Sequence, residues 1–150
     1  MIKILFVCHG NICRSPMGMF ILRDIVQKRA VAGNFCIDSA ATSTEEIGNG
    51  LYPPARRKLE AEGIGCTGHR ARQLTRGDYE IYDLLLGADS ANIRNMRRIC
   101  CGDPEDKIHR ILDYSAVPRD IADPWYTGDF NTAYHDILEG CEALLAQLGY

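Results

Sequence analysis

The chain has 150 residues, of which 46% are hydrophobic and 25% are charged, and its formal net charge at pH 7 is −3. This length supports one well-buried core, so we expect a single domain over residues 1–150. The slightly acidic balance argues against nucleic-acid binding, and no apolar run approaches the length of a membrane span. We expect a cytoplasmic protein that binds neither nucleic acid nor membrane, and we expect a monomer.

Four apolar runs alternate with amphipathic segments along the chain. The runs predict buried strands at residues 2–7, 35–37, 81–86 and 108–112. The segments between and after them predict helices at residues 16–29, 54–62, 90–98 and about 132–148. Such alternation indicates an α/β fold, a parallel sheet with helices on both faces. Surface loops are expected around residues 48–54 and 118–128, and loops at the carboxyl ends of the strands build the site in such folds.

The seven cysteines do not fall into the paired C-x-x-C spacing of a zinc site. Reduced thiols are the expected state in a chain whose core is large enough to be stable without disulfides. The histidines also lack metal-ligand spacing with one another, so we expect no metal and no other cofactor.

The stretch VCHGNICRSP follows the first apolar run and places Cys8 and Arg14 six positions apart, at the two ends of a loop. Ser15 is predicted to cap the next helix, and Pro16 suits its first turn. Backbone N–H groups of residues 9–14 can then converge on an anion, and the planar Arg14 fork matches phosphate oxygens. A helix N-terminus and a guanidinium also favour the thiolate form of Cys8, which is the nucleophilic form.

This loop resembles the signature loop of the low-molecular-weight protein tyrosine phosphatases. The resemblance extends to IDSA at residues 37–40, TGHRARQL at 67–74, GADSANIR at 87–94 and ADPWY at 122–126. It implies a three-layer sandwich whose four-stranded parallel sheet has the order 2-1-3-4. It also implies cysteine-dependent hydrolysis of phosphotyrosine in tyrosine-phosphorylated protein substrates.

The resemblance implies a role for each matching residue. Cys8 is the expected nucleophile, Arg14 the phosphate clamp, and Asp123, in Asp-Pro before two aromatic residues, the general acid and base. The expected phosphate-binding residues are His9, Gly10, Asn11, Ile12, Cys13 and Arg14. Loop support is expected from Ser15, Ser39 and His69, with Asn11 and Ser39 matching residues that hydrogen-bond to hold the loop open.

Substrate contact and regulation are expected from further residues of the same site. The substrate slot is assigned to Ile12, Glu45, Trp125 and Tyr126. Glu45 and Glu46 together predict a rim that disfavours acidic peptides. Cys13 could form a disulfide with Cys8 and protect the nucleophile from irreversible oxidation.

Other activities of the same scaffold remain as alternatives. A related branch removes phosphate from arginine, and there a Thr stands where this chain has Ile12, so the apolar Ile12 favours phosphotyrosine. Arsenate reductases need additional cysteines near the third strand, and residues 78–90 contain none. A phosphocysteine carrier of sugar transport or a phosphate-binding module would not need Asp123.

Overall fold

The computed structural model describes residues 1–150 and has one parallel sheet of four strands. The order across the sheet is β2-β1-β3-β4, which confirms the expected 2-1-3-4 order. The strands are β1 (Ile2–Cys8), β2 (Phe35–Ala41), β3 (Leu84–Gly87) and β4 (Ile108–Arg110).

Strand β1 lies between β2 and β3 and is buried on both faces. Ile4 and Phe6 pack into one hydrophobic cluster, and Leu5 and Val7 pack into a second cluster on the opposite face. Successive side chains of a strand point to opposite faces, so a continuous apolar run is the pattern that a strand between two helical layers requires.

Helices cover both faces of the sheet. On the Phe6 face lie α1 (Arg14–Lys28), α2 (Pro53–Ala61) and α6 (Phe130–Leu148), and on the Leu5 face lie α3 (Arg76–Ile81) and α4 (Ser90–Ile99). A short helix, α5 (Pro124–Thr127), precedes α6. The expected three-layer arrangement is confirmed. No helix has both the length and the apolar character needed to cross a bilayer.

A glycine sets the distance between α1 and the sheet. A Cβ atom at Gly18 would lie 2.6 Å from the Phe6 ring, closer than real contacts allow. The helix that begins at the site is therefore packed directly on the strand that ends there, which fixes the two ends of the intervening loop.

The predicted boundaries of the third strand were wrong. Ile81 ends α3 instead of starting β3, and its side chain is exposed. The Asp78 carboxylate accepts hydrogen bonds from the N–H (2.8 Å) and the hydroxyl (3.2 Å) of Thr75, and this local capping begins a helix that apolar periodicity did not reveal.

The fourth strand is also shorter than predicted, because a 3-10 helix follows it at Ile111–Tyr114. The Asp113 carboxylate accepts the Arg110 backbone N–H at 2.8 Å, and the Asp103 carboxylate accepts the Ile108 N–H at 3.1 Å. These two N–H groups, two residues apart on the edge strand, are satisfied by side chains instead of by another strand.

Several other boundaries also differ from the prediction. Strand β2 continues to Ala41, α2 runs over Pro53–Ala61, and α4 continues to Ile99. Helix α6 begins at Phe130, because Asp129 caps it by accepting the Thr132 N–H at 2.9 Å. The loop expected at residues 118–128 contains α5.

Candidate active site

The site is built on the carboxyl end of β1. The loop after Cys8 is fixed from its β2 side, since the N–H groups of Thr42 and Ser43 donate to the carbonyls of Cys8 (2.9 Å) and His9 (3.0 Å). From the other side, the Tyr52 N–H donates to the Ile12 carbonyl at 3.0 Å. Residues far apart in the chain therefore fix the conformation of a short loop.

Asn11 is the fully buried polar centre of this loop and has a left-handed backbone, with φ of 60°. Asparagine tolerates this conformation better than most residues. Its Nδ2 donates to Ser15 Oγ at 2.8 Å, and its Oδ1 accepts the Arg72 N–H at 3.2 Å. The strained residue is thus held by both ends of its carboxamide.

The prediction that Ser15 caps α1 was wrong. The helix begins at Arg14, Cys13 occupies the cap position, and Ser15 is completely buried within the first turn. Ser15 Oγ accepts from Asn11 and lies 2.9 Å from Cys8 Sγ, so the hydroxyl is placed to donate to the sulfur of a Cys8 thiolate. The Ser15 N–H donates to Cys8 Sγ at 3.4 Å. Both polar groups of Ser15 therefore contact the sulfur.

Of two residues predicted to support the loop, His69 contacts Asn11 and Ser39 does not. His69 Nε2 donates to the Asn11 carbonyl at 2.7 Å, so Nε2 carries the hydrogen. Burial lowers the pKa of His69, and this hydrogen bond offsets only part of the effect. Ser39 makes no hydrogen bond to Asn11; its hydroxyl donates to Met19 Sδ at 3.5 Å. His69 therefore contacts the loop directly and Ser39 does not, and the loop-support roles of both residues stay predictions.

Arg14 is buried, with 3% of its side chain exposed, and it is held by partners from two other segments. Its Nη1 donates to Asp89 Oδ2 and to the Ile121 carbonyl, both at 2.7 Å. Burial lowers the pKa of the guanidinium, but Cys8, Asp89 and Asp123 together raise it above its ordinary value. The guanidinium is therefore a fixed positive charge whose Nε and Nη2 can face an anion.

A cleft of about 120 Å³ opens above the thiol and brings together the residues predicted from three separate segments. Asp123 lies at its edge with Oδ2 3.4 Å from Arg14 Nη2, and the Trp125 N–H donates to Asp123 Oδ1 at 3.0 Å. The lining residues are Cys8, His9, Gly10, Ile12, Cys13, Arg14, Glu45, Glu46, Asp123, Trp125 and Tyr126. Only Asn11 among the expected phosphate-loop residues faces away from the cleft.

The mouth of the cleft has an acidic side and an aromatic side. His9 Nε2 donates to Glu45 Oε2 at 3.0 Å, and the Glu46 carboxylate accepts from Asn49 at 2.6 Å. Trp125 and Tyr126 line the same cleft and are 51% and 84% exposed. A group entering the cleft therefore meets both carboxylates and aromatic rings.

Cys13 lines the same cleft as Cys8, and both are free thiols. Burial raises the pKa of the Cys13 thiol well above its usual range, and the neighbouring Cys8 and Asp123 raise it further. Cys13 is therefore a neutral thiol at physiological pH. Its role in a protective disulfide stays a prediction.

Asp89 is a site residue that the sequence reasoning did not identify. It caps α4 by accepting the Asn92 N–H at 2.8 Å, and its second oxygen accepts from Arg14, 75 residues earlier in the chain. The cap pattern after β3 was a detectable signal, because it places a carboxylate at the same sheet edge as Cys8. The pairing with Arg14 had no local signal.

The fold and the site together define a phosphatase of the α/β class, with a Cys-x5-Arg loop between the first strand and the first helix. Residues 3–150 match the family model described as low molecular weight phosphotyrosine protein phosphatase. The chain belongs to this family.

Two relatives identified by sequence agree with this membership. The chain is 39% identical to the low molecular weight protein-tyrosine-phosphatase YfkJ of Bacillus subtilis, over 99% of this chain and 96% of that protein. It is 37% identical to the human low molecular weight phosphotyrosine protein phosphatase, over 95% and 93%.

Two solved structures superpose over nearly the whole chain. The crystal structure of YfkJ has a TM-score of 0.94, at 39% identity, and covers 99% of this chain and 95% of that one. The crystal structure of a drosophila arginine phosphatase has a TM-score of 0.91, at 29% identity and 99% coverage of both chains. The same fold therefore occurs in proteins named for two different phosphorylated residues.

Proposed function

We propose that the protein hydrolyses phosphotyrosine in proteins through a cysteinyl phosphate. The convergence of Cys8 Sγ, the Arg14 guanidinium and the Asp123 carboxyl on one cleft carries this proposal. A nucleophile, a phosphate clamp and a proton donor are the groups that a two-step phosphate transfer requires.

In the first step, Cys8 Sγ attacks phosphorus as a thiolate, and the S–P bond forms while the bond from phosphorus to the phenol oxygen breaks. Protonated Asp123 gives its proton to that oxygen, so tyrosine leaves as a neutral phenol, whose pKa is about 10. Arg14 and the backbone N–H groups of residues 9–14 bind the phosphate oxygens throughout. The Ser15 hydroxyl, 2.9 Å from the sulfur, is placed to donate a hydrogen bond to the thiolate.

In the second step, the Asp123 carboxylate takes a proton from water, and the water oxygen attacks phosphorus. The S–P bond breaks, inorganic phosphate is released and the Cys8 thiolate is restored. The position of Asp123 supports both steps, because its Oδ2 lies 3.4 Å from Arg14 Nη2 and a carboxyl that exchanges protons therefore stands beside the group that binds phosphate.

The shape of the cleft supports phosphotyrosine over phosphoserine. Cys8 lies at the bottom with 3% of the residue exposed, and Trp125 stands at the mouth with half of its surface free. A phenyl ring can span this depth and pack against Trp125 and Ile12, whereas serine offers no ring for these contacts. The names of the relatives, which refer to phosphotyrosine, also support this choice.

Phosphoarginine is the second candidate substrate, because the structure of the drosophila arginine phosphatase superposes on nearly the entire chain. We rank it lower because Ile12 gives the cleft an apolar wall where the leaving group would lie. A guanidino group leaves polar N–H groups facing that wall, which costs free energy if they are unpaired.

The deciding experiment compares phosphate release from one peptide that carries phosphotyrosine, phosphoserine or phosphoarginine, with a metal chelator present. We expect turnover of the phosphotyrosine peptide, abolished in Cys8→Ser and retained in Cys36→Ser, which removes an exposed thiol on β2. Faster turnover of phosphoarginine would replace the substrate assignment. Turnover that survives Cys8→Ser would refute the mechanism.

A further inference from the structure

We infer that Tyr52 is a positioning residue, which holds the loop of Asp123 at the correct distance from the phosphate-binding loop. The inference rests on the proposed function, since it concerns the delivery of the Asp123 proton. Tyr52 does not line the cleft, so it acts through its neighbours and not by touching the substrate.

The backbone of Tyr52 is anchored to the phosphate-binding loop. Its N–H donates to the Ile12 carbonyl at 3.0 Å, and it immediately precedes Pro53, the first residue of α2. The residue before a proline is restricted to extended conformations, and Tyr52 has φ −58° and ψ 132°. The direction of the Tyr52 side chain is therefore fixed relative to Ile12.

The ring of Tyr52 connects this anchor to the Asp123 loop. Its centroid lies 4.8 Å from that of Trp125, with the ring planes at 47°, and 6.0 Å from that of Phe130 at the start of α6. Tyr52 and Phe130 also pack against a small buried cluster that contains Ile12 and Cys13. One ring thus contacts three segments of the site.

Trp125 transmits this contact to the acid. Its backbone N–H donates to Asp123 Oδ1 at 3.0 Å, so the position of Trp125 and the orientation of the carboxyl are coupled. The exposed side of Trp125 and the exposed Tyr126 have no covering segment, and the aromatic contact of Trp125 is with Tyr52. Tyr52 is therefore the support beneath a loop whose other side is open.

Proton transfer is sensitive to small displacements, and a shift of about 1 Å at a reacting group can cost about 100-fold in rate. The Tyr52 hydroxyl makes no hydrogen bond, so the ring is the part of the side chain that acts. Replacing the side chain leaves the N–H bond to Ile12 in place. Substitution of the side chain therefore tests the ring contacts of Tyr52 without removing its backbone hydrogen bond to Ile12.

The test is the dependence of kcat/KM on the leaving group in Tyr52→Leu and Tyr52→Phe. For phenyl phosphate, whose phenol needs a proton, we expect Tyr52→Leu to lose about tenfold, a fraction of the contribution of a general acid. For nitrophenyl phosphate, whose phenol is more acidic, we expect less than about a twofold loss. Tyr52→Phe should match the wild type with both substrates.

Tyr150→Leu is the matched control, because it removes a similar aromatic pair, Phe35–Tyr150 at 4.9 Å, from the opposite end of β2. It should change neither substrate's rate. If Tyr52→Leu fails to fold, Tyr52→Met removes the ring while retaining a long apolar side chain. Equal losses for both substrates in the ringless variant, or a leaving-group effect in Tyr150→Leu as well, would overturn the inference while leaving the proposed function intact. A wild-type protein inactive on both esters would refute both proposals.

Discussion

The loop that holds Cys8 and the loop that carries Asp123 differ in how they are supported. Asn11, Arg14 and Ser15 are at most 2% exposed, and hydrogen bonds from several segments fix them. Trp125 and Tyr126 are largely exposed, and the short helix that carries them ends at Thr127 and is followed by Gly128 in a left-handed conformation. The phosphate group is the same in every substrate, whereas the leaving group varies. The rigid loop therefore meets the constant part of the substrate, and the open loop meets the variable part.

The largest effect should come from weakening the rigid loop with Arg14→Lys. A lysine cannot satisfy Asp89 and the Ile121 carbonyl while presenting two parallel donors to phosphate. We expect kcat/KM to fall about 100- to 1,000-fold for every phosphate ester tested, as measured by steady-state kinetics. A loss confined to poor leaving groups would contradict the role of Arg14 as the phosphate clamp.

Asp123→Asn should disable the open loop while leaving the rigid loop intact. We expect kcat/KM for phenyl phosphate to fall about 100-fold, because the amide cannot donate the required proton. More acidic leaving groups should recover part of the loss, which a series of substituted phenyl phosphates would measure. Asp136→Asn is the control: it changes a carboxylate on α6 that pairs with Arg119, and it should show no such dependence.

The acidic rim offers a smaller change that affects only the variable part of the substrate. In Glu45→Gln with Glu46→Gln, we expect kcat/KM for an acidic phosphotyrosine peptide to rise by about two- to fivefold relative to a basic one, since exposed charge pairs contribute little. The difference between the variant and the wild type in this acidic-to-basic kcat/KM ratio should shrink as salt is added, because salt screens the charges.

Glu105→Gln is the matched control for the rim. Its carboxylate is as exposed as that of Glu45 (65% against 67%) and is also paired, with Lys107, but it precedes β4 at the opposite edge of the sheet. The peptide preference should not change in this variant. Because Glu105→Gln removes one charge and the rim variant removes two, a change in the logarithm of the ratio about half as large in Glu105→Gln would show that net charge, and not the rim, sets the preference.

The smallest expected effect is the pH dependence contributed by His69 to the rigid loop. Its pKa is lowered in the folded protein, so the unfolded state binds its proton more readily. The free energy of unfolding should therefore fall as the pH is lowered through the ordinary value of about 6.5, and this part of the decline should end below the folded pKa. Denaturant titrations across this range should show a flatter profile in His69→Gln. His135→Gln on the exposed face of α6 should keep the wild-type profile.

The sequence predicted those parts of the fold and site that depend on local patterns. The alternation of buried runs and amphipathic segments was enough for the sheet and its helical layers, and the short motifs around Cys8 and Asp123 located two sides of the cleft. The boundaries near Ile81 and Ile111 were wrong because the side chains of Asp78 and Asp113 bind backbone groups and redirect the chain.

The missed contacts connect residues that only the folded chain brings together. Arg14 meets the Ile121 carbonyl across 107 residues, and the Tyr52 ring meets Trp125 from an unrelated loop. No periodicity or spacing encodes such pairs. They are also the contacts that couple the rigid loop to the open one, so the relation between the two loops required the three-dimensional structure.

The paired backbone N–H groups on the edge strand β4 have a consequence for aggregation. An edge strand with free N–H groups can recruit a strand from a neighbouring chain, and this is a common route to aggregation. Here the Asp103 and Asp113 carboxylates already occupy the outward N–H groups of Ile108 and Arg110, so an approaching strand would meet carboxylate oxygens instead of free donors. Because these two donors are already paired, we expect contacts along this edge not to extend the sheet from one chain to the next.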